Sequence, residues 1–174
     1  MTNQALKEMN KKRKIVQICY VTRDYKRTIR YLYDKLNIGP WNVMTLSEKN
    51  TTNVQIDGNL VNESYEFIVC HSMLGDMQLE VIQPVSGPSA YTKYLDEHGE
   101  GLHHIKEKVD GNELPDIVAE YEKKGVKNVF SGGFDIDRFV YLDTEDAVGA
   151  AYEIGNQPDL ILPSDQFSVW PEEK

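Results

Sequence analysis

Residues 75–105 read GDMQLEVIQPVSGPSAYTKYLDEHGEGLHHI, and the rest of the chain is arranged around the two apolar runs in this stretch. The first run, MQLEVI, alternates side chains along a strand-like segment and carries Glu80. The second run is short and carries His103 and His104. The sequence therefore predicts a carboxylate and an imidazole, each held on extended backbone.

Glu80 is the first candidate for a functional role. Alternate side chains of a strand share a face, so Glu80 points to the same side as Gln78 and Ile82. A glutamate on a half-buried strand needs a cationic partner. A divalent metal would provide one, because imidazole and carboxylate form a ligand set that such metals accept. The alternative is that Glu80 faces water and His104 is an ordinary sheet histidine, and for either residue alone this alternative is favoured.

The composition indicates a soluble globular protein. The chain has 174 residues, of which 40% are hydrophobic and 27% charged, which suits one domain or two small modules that share a core. Its net charge of −9 argues against a nucleic-acid surface. No stretch resembles a signal sequence or a membrane span, so we expect a cytoplasmic protein with no membrane partner. Cys19 and Cys70 are too few to indicate a disulfide framework.

The order of predicted elements repeats. Each half predicts a strand, a helix and three further strands, and the two halves are separated by a turn and a helix. We predict an α+β fold of paired βαβββ modules. The predicted segments are a polar leader (1–12), a first module (13–84), a linker with a helix (85–100), a second module (101–155) and a C-terminal tail (156–174).

The repeat places four polar residues at matched positions. Gln17 corresponds to His104 on the first strand of each module, and Glu80 corresponds to Glu153 on the last strand. Gln17 and Glu80 are farther apart along the chain than His104 and Glu153 are, because the first module contains a polar stretch at 47–64. This stretch predicts a long hairpin connection or an insertion. If the modules face each other, the four side chains converge, and their two carboxylates cancel a divalent charge. This agreement between halves is more specific than any single residue.

With these residues identified, the chain resembles the vicinal oxygen chelate superfamily, which includes glyoxalase I, methylmalonyl-CoA epimerase, extradiol dioxygenases and bleomycin-resistance proteins. The resemblance extends over about 14–155 and depends on LEVIQP, on GEGLHHI and on the opening VQICYVTRDYKRTIRYLYDKLNIGP. It implies that the paired βαβββ modules form a curved mixed sheet around a metal-binding cleft, with helices on the convex side. It also implies one divalent metal ion, held by ligands from the first and last strands of each module. Gln17, Glu80, His104 and Glu153 occupy those positions.

Within the superfamily, different parts of the chain resemble different enzymes. The Glu80 strand followed by proline and then GLHH is similar to methylmalonyl-CoA epimerase, whereas the ligand set is similar to that of human-type glyoxalase I. The positions of the two glutathione-binding residues of glyoxalase I are Val21 and Pro84 here. Dioxygenase chemistry fits less well, because Gln17 takes the place of a histidine. His103 is expected to point away from His104, because neighbours on a strand face oppositely.

The resemblance implies an activity and two candidate catalytic residues. It implies a metal-dependent isomerase or lyase that transfers a proton beside a carbonyl through a metal-stabilised enolate. Glu153 is the first candidate for the base and Glu66 the second, although a solvent-facing position is slightly favoured for Glu66. An acyl-CoA epimerase is preferred to a lactoylglutathione lyase, and a non-catalytic small-molecule binder or an idle interaction protein remains as an alternative.

The expected cofactor is one divalent ion, and this mixed nitrogen and oxygen ligand set does not distinguish Zn, Ni, Co, Mn and Mg. The expected partner is a small-molecule substrate. The resemblance also implies a homodimer.

Overall fold

The computed structural model describes residues 1–157 and 167–172. Their strands form one curved sheet of eleven strands. The strands are β1 (Lys14–Val21), β2 (Trp41–Ser47), β3 (Thr51–Ile56), β4 (Asn59–Leu60), β5 (Glu66–Leu74), β6 (Met77–Ser86), β7 (Gly101–Lys108), β8 (Asn128–Phe134), β9 (Asp137–Leu142), β10 (Ala151–Gly155) and β11 (Phe167–Trp170). The helices are α1 (Asn3–Asn10), α2 (Tyr25–Leu36), α3 (Ala90–His98), α4 (Leu114–Lys123) and α5 (Glu145–Val148).

The predicted duplication is present in the sheet. One half is β1-α2-β2-β5-β6 and the other is β7-α4-β8-β9-β10. The first and last strands of each half are parallel neighbours, and β1 pairs antiparallel with β7 to join the halves at the centre. The α+β fold class of paired βαβββ modules is confirmed.

Two helices cover the convex face of the sheet, as predicted. Asp24 caps α2 by accepting a hydrogen bond from the Arg27 amide, and Asn37 ends this helix in the left-handed conformation. Ile29 of α2 packs against Leu79 and other apolar residues on the outward side of the first half. Helix α4 packs in the same way on a separate cluster that includes Leu114, Val140, Leu142 and Ile154.

Helix α3 lies on the concave face instead. Its Tyr91, Tyr94 and Leu95 are buried in the same cluster as Val21 and Ile82, which face the inside of the sheet. The linker helix therefore closes one end of the space that the sheet encloses. The predicted convex position applies to α2 and α4, whereas α3 differs because its aromatic face packs against apolar residues at the concave ends of β1 and β6.

The insertion after β2 and the C-terminal tail each add a strand to the opposite half of the sheet. Strand β3, within the polar stretch that follows β2, pairs with β8 of the other half, and β11 pairs with β2. Strands β2 and β3 are joined by the short turn 48–50 but lie near opposite ends of the sheet. The sheet therefore curls until its two ends approach each other, and Leu46, Val54 and Phe134 pack in one cluster.

The predicted terminal segments have more secondary structure than a leader and a tail suggest. Within the leader, Asn3–Asn10 is helical and has no buried residue. Within the tail, Phe167–Trp170 forms an edge strand, and 158–166 lie outside the described residues. None of the helices in the described part of the chain is long and apolar enough to span a membrane.

Candidate metal centre

The four side chains selected from the repeat lie together on the concave face. Gln17 and Glu80 come from the parallel pair β1 and β6, and His104 and Glu153 come from the parallel pair β7 and β10. All four are buried, with exposed fractions from 0% for His104 to 8% for Glu80. The curvature of the sheet brings strands from both halves around one point.

The Nε2 atom of His104 lies at the centre of these side chains. It lies 3.0 Å from Glu153 Oε2, 3.2 Å from Gln17 Oε1 and 3.4 Å from Glu80 Oε2. Three oxygen donors from three different strands therefore surround one imidazole nitrogen.

The spacing and chemistry of these donors fit a divalent ion. The distances from His104 Nε2 to the three oxygens lie in the range of about 3.0–3.4 Å that separates donors held about 2.1 Å from a common ion in octahedral or tetrahedral geometry. One imidazole, one amide and two carboxylates are acceptable to Zn²⁺ and to harder divalent ions. Gln17, Glu80, His104 and Glu153 are therefore the residues that could hold such an ion.

The protonation of His104 reflects its carboxylate neighbours. Burial disfavours the imidazolium, but Glu153 and then Glu80 outweigh this effect and raise the pKa of His104 to about 9. Burial alone would also raise the pKa of Glu153, but Lys106 and His104 lower it, so this carboxylate is ionised. At neutral pH a divalent ion would therefore displace a proton from His104 on binding.

Cys19 lies next to this cluster. Its Sγ lies within 4.8 Å of ligand atoms of Glu80 and His104, and the side chain is fully buried. Burial, followed by the charge of Glu80, raises the pKa of the Cys19 thiol well above its usual value, so Cys19 is a neutral thiol beside the acids.

Lys106 is a charged member of the site that the sequence analysis missed. Its Nζ lies 2.8 Å from Glu153 Oε1 and 3.7 Å from Asp137 Oδ2, and the residue is 3% exposed. Burial opposes the ammonium, but Glu153 and Asp137 outweigh it and raise the pKa of Lys106. Asp137 Oδ1 is buried with no hydrogen-bond partner, and burial raises the pKa of this carboxyl group. The signal available in the sequence was that Lys106 stands two residues after His104, on the same face of the strand.

The prediction that His103 points away from His104 is wrong. The pairing of β1 with β7 shifts register between Cys19 and Tyr20, so His103 is an extra, bulged residue. Its Nδ1 lies 2.8 Å from His104 Nδ1, and its ring packs on Tyr91 and Tyr94 of α3. Burial lowers the pKa of His103 well below its usual value, so neutral His103 accepts the Nδ1 proton of His104.

Glu66 is not brought to the site. It stands at the start of β5, and the next residue, Phe67, lines the concave cavity while Glu66 is absent from its lining. Adjacent side chains of a strand face opposite sides, so Glu66 faces outward. We do not retain Glu66 as a candidate base, and Glu153 is the sequence-predicted base that the fold brings to the cluster.

The cluster opens into a cavity of about 680 Å³. Near the cluster, the wall includes His71. His71 pairs with Glu80 across β5 and β6, its Nε2 lies 3.1 Å from Asn42 Nδ2, and burial lowers its pKa, so its ring is neutral. Farther from the cluster the wall is apolar and consists of Met44, Leu46, Phe67, Val69, Phe134, Phe139 and Phe167.

The basic residues in the described cavity wall are two lysines, and both have partners. Lys106 contacts Glu153 and Asp137, and Lys108 Nζ donates to the backbone oxygen of Gln157. Arginine is not among the described residues that line the cavity. A ligand in this cavity would therefore contact apolar side chains and the polar cluster. The lysine side chains that it could contact already have polar partners.

The fold and the cavity together define a class: a paired-module α+β protein whose concave face carries a candidate metal centre. Sequence comparison gives the family. The profile of the Glyoxalase/Bleomycin resistance protein/Dioxygenase superfamily matches residues 16–141, and the chain belongs to this superfamily. No curated protein matches the chain in sequence.

Solved structures share the fold at low sequence identity. A hypothetical protein from Bacillus halodurans C-125 is 17% identical with a TM-score of 0.60, and the alignment covers 87% of this chain and 99% of that one. A methylmalonyl-CoA epimerase variant from Streptomyces coelicolor, in complex with 2-nitronate-propionyl-CoA, is 19% identical with a TM-score of 0.58, covering 86% and 98%. The methylmalonyl-CoA epimerase of Mycobacterium tuberculosis is 17% identical with a TM-score of 0.54, covering 81% and 85%.

Proposed function

We propose that this protein is a metal-dependent isomerase or lyase that moves a proton on a carbon next to a carbonyl group. The observation that carries the proposal is the convergence of Gln17, Glu80 and Glu153 on His104 Nε2 within 3.0–3.4 Å. A buried set of one imidazole and three oxygen donors beside a cavity suits a divalent ion and a small substrate. When bound, such an ion supplies Lewis-acid polarisation of a substrate oxygen.

Glu153 is the residue that we propose to move the proton. Its carboxylate is ionised and buried, and it lies at the floor of the cavity. A carboxylate in a dry site can accept a proton from an acidified carbon and return it.

We propose an acyl thioester of coenzyme A as the first substrate to test, ahead of a glutathione hemithioacetal. The apolar wall around Phe67 and Phe139 suits an acyl group better than the charged tripeptide. Val21 and Pro84 also stand where human-type glyoxalase I has its glutathione-binding residues. The phosphate-rich part of coenzyme A would lie outside the cavity, where its binding would not depend on Lys106 or Lys108.

Proton exchange in deuterated water tests this proposal. The metal-loaded protein is incubated with methylmalonyl-CoA and, separately, with the hemithioacetal of glutathione, and deuterium at the carbon beside the carbonyl is measured by mass spectrometry. We expect exchange with the thioester and its loss in Glu153→Gln. Exchange with the hemithioacetal alone would identify a lactoylglutathione lyase, and exchange with neither would contradict the choice of substrates.

A non-catalytic binding protein is the second candidate, because the apolar part of the cavity could hold a small molecule without reaction. Metal analysis separates the two functions. We expect one divalent ion per chain after purification without chelator, and its absence would favour the binder.

We also propose a homodimer, on the basis of the family resemblance. Light scattering coupled to size-exclusion chromatography measures the mass directly. A mass of 19.9 kDa, that of one chain, would contradict the proposal.

A further inference from the structure

The two glutamates of the candidate centre are equivalent in the repeat but have different surroundings. Glu80 pairs in register with Cys19 across β6 and β1, and Glu153 pairs in register with Lys106 across β10 and β7. Cys19 and Lys106 each stand two residues after the first donor of their half, so the two positions also correspond. One carboxylate therefore has a neutral neighbour and the other has a cation.

Because of Lys106, the two carboxylate oxygens of Glu153 have different neighbours. Oε1 lies 2.8 Å from Lys106 Nζ, whereas Oε2 lies 3.0 Å from His104 Nε2. Both Lys106 and Glu153 are buried, with 3% and 2% of their surfaces exposed, so solvent does not screen this contact. Among the described residues, the other carboxylate within 4 Å of Lys106 Nζ is that of Asp137, at 3.7 Å.

We propose that Lys106 is a positioning residue that leaves only Oε2 of Glu153 available to a divalent ion and weakens the hold of this carboxylate on the ion. This proposal rests on the function proposed above and divides the roles of the two acids. Glu80 is the firm anionic donor. Glu153, whose charge Lys106 already partly balances, would be held less firmly by an ion, which suits its proposed role in moving the proton.

Electrostatics gives the direction of the effect. A fixed ammonium group beside the centre repels a divalent cation, and it competes with that cation for the same carboxylate. Because the site is buried, this repulsion is larger than it would be on the surface. Removal of the charge should therefore strengthen metal binding while it impairs the release of Glu153.

The test compares lysines at two positions of the same strand. Lys106→Met removes the charge beside Glu153, Lys106→Arg keeps it, and Lys108→Met removes a charge from the cavity wall that does not contact Glu153. The affinity for Co²⁺ and Zn²⁺ is measured by competition with a chromophoric chelator. Lys106→Gln replaces Lys106→Met if the latter does not fold.

We expect Lys106→Met to bind metal roughly tenfold more tightly or better. Lys108→Met should stay within about twofold of the wild type, because its exposed charge is screened, and Lys106→Arg should restore the wild-type affinity. The visible absorption of the Co²⁺ protein should also weaken in Lys106→Met, because a second oxygen of Glu153 becomes free to bind and a higher coordination number gives weaker bands. If exchange activity is found, kcat should fall in this variant with little change in KM.

Two results would overturn the inference, and they differ from each other. Unchanged or weaker metal binding in Lys106→Met, with an unchanged Co²⁺ spectrum, would show that Lys106 does not control Glu153, although the metal centre itself would stand. Failure of the wild-type protein to bind any divalent ion would remove the centre, and the proposed function would fail together with the role of Lys106.

Discussion

His104 is the residue on which the candidate centre depends, because the other three donors contact its Nε2 and do so from separate strands. Two neighbours also fix the orientation of the His104 ring. His103 contacts its Nδ1, and the ring of Tyr141 packs against it with a centroid distance of 4.7 Å. Changes to the donors and to these supporting residues should therefore have separable effects.

Replacement of a donor should remove metal binding. We predict that Glu80→Gln lowers the affinity for Zn²⁺ by more than about 100-fold, since even residues behind the ligands contribute 10- to 100-fold. The measurement is competition with a chelator. Glu66→Gln is the matched control, because Glu66 lies on the same sheet outside the cavity wall and should leave the affinity unchanged. An equal loss in both variants would contradict the assignment of Glu66 to the outer face.

His103 should matter through His104. We predict that His103→Phe lowers metal affinity by about 10- to 100-fold, because the Nδ1 proton of His104 loses its acceptor. Phenylalanine keeps an aromatic ring against Tyr91 and Tyr94, so the fold should tolerate the change. His98→Phe, at an exposed position on α3, serves as the control. Wild-type affinity in His103→Phe would show that the contact does not orient the ligand.

The four convergent donors could be selected from the sequence, but His103 and Lys106, which contact them, could not. The matched positions of Gln17, Glu80, His104 and Glu153 could be found because strand alternation and the repeat constrain them jointly. The bulge at His103 was not predictable, because one extra residue in a strand leaves no periodic signal. Lys106 was missed for another reason: a lysine on a strand is ordinarily solvent-facing, and its burial here depends on Glu153 and Asp137 from other strands.

At the scale of elements, an ionic cluster joins the start of β1 to β7, β10 and α4. Arg13 Nε donates to Glu107 Oε1 at 2.7 Å, Tyr152 Oη donates to Glu107 Oε2 at 2.7 Å, and Arg13 also contacts Tyr121. Burial raises the pKa of Glu107, but the hydrogen bonds from Arg13 and Tyr152 outweigh it, so this pKa lies below its usual 4.5. The cluster stabilises the protein only while Glu107 is ionised.

We therefore predict that Glu107→Gln lowers the free energy of unfolding by about 1–3 kcal/mol at neutral pH. A lowered folded-state pKa contributes stability above the unfolded value of 4.5, and this stability is lost as the pH falls through the folded-state pKa. The difference between wild type and variant should accordingly shrink in acid. Urea unfolding at neutral and acidic pH measures it, with exposed Glu120→Gln as the control. A difference that is independent of pH would contradict this account.

The two glycines that flank α3 provide a second test at this scale. Both have positive φ, but a Cβ at Gly87 would clash with the backbone oxygen of Ser64, whereas a Cβ at Gly99 would meet no described atom within 4 Å. We predict that Gly99→Ala costs about 1–3 kcal/mol from backbone strain alone, because residues with a side chain rarely adopt its φ of 80° with ψ of −164°. Gly87→Ala should cost more, because backbone must also move. Thermal or urea unfolding compares them, and equal losses would show that the contact with Ser64 relaxes freely.

The extent of β8 could not be predicted from the local sequence. A Gly-Gly pair ordinarily indicates a break between strands, but Gly132 and Gly133 lie within β8. The structural reason is a close approach, because a Cβ at Gly132 would lie 2.9 Å from Val54 Cγ2 and 3.0 Å from Phe139 Cζ. Glycine inside a strand often marks such an approach. The neighbour that requires it, Val54, comes from the other half of the chain and so could not be inferred locally.

At the scale of the whole molecule, each half completes the sheet of the other. Val54 of the insertion is 3% exposed and packs in the concave cluster beside β8. We predict that Val54→Asp destabilises the protein by roughly 3–5 kcal/mol, as an unpaired buried charge does, and that it exposes the insertion to limited proteolysis. Thr52→Asp, on the exposed side of the same strand, is the control. Resistance of Val54→Asp to both assays would show that the insertion does not depend on this contact.

The duplicated halves were predictable at this scale, because each carries the same order of strands and helix. The pairing of β3 with β8 and of β11 with β2 was not predictable, since pairing between segments far apart in sequence depends on the curvature of the finished sheet. The polar stretch after β2 was expected to be a hairpin connection or an insertion, and it is an insertion that spans the halves. The segment 156–174 was expected to be a C-terminal tail, and its described strand β11 pairs with β2 at one edge of the sheet.

The pairing of β3 with β8 also has a consequence for synthesis on the ribosome. When the first hundred residues have emerged, β3 can pair with the two-residue strand β4 but not with β8, because β8 has not yet been translated. The nascent chain must hold Val54 and Ile56 without their final neighbours for the time needed to make the second half. Co-translational folding of the first half is thus left incomplete, and a chaperone that shields apolar strands would have its natural target there.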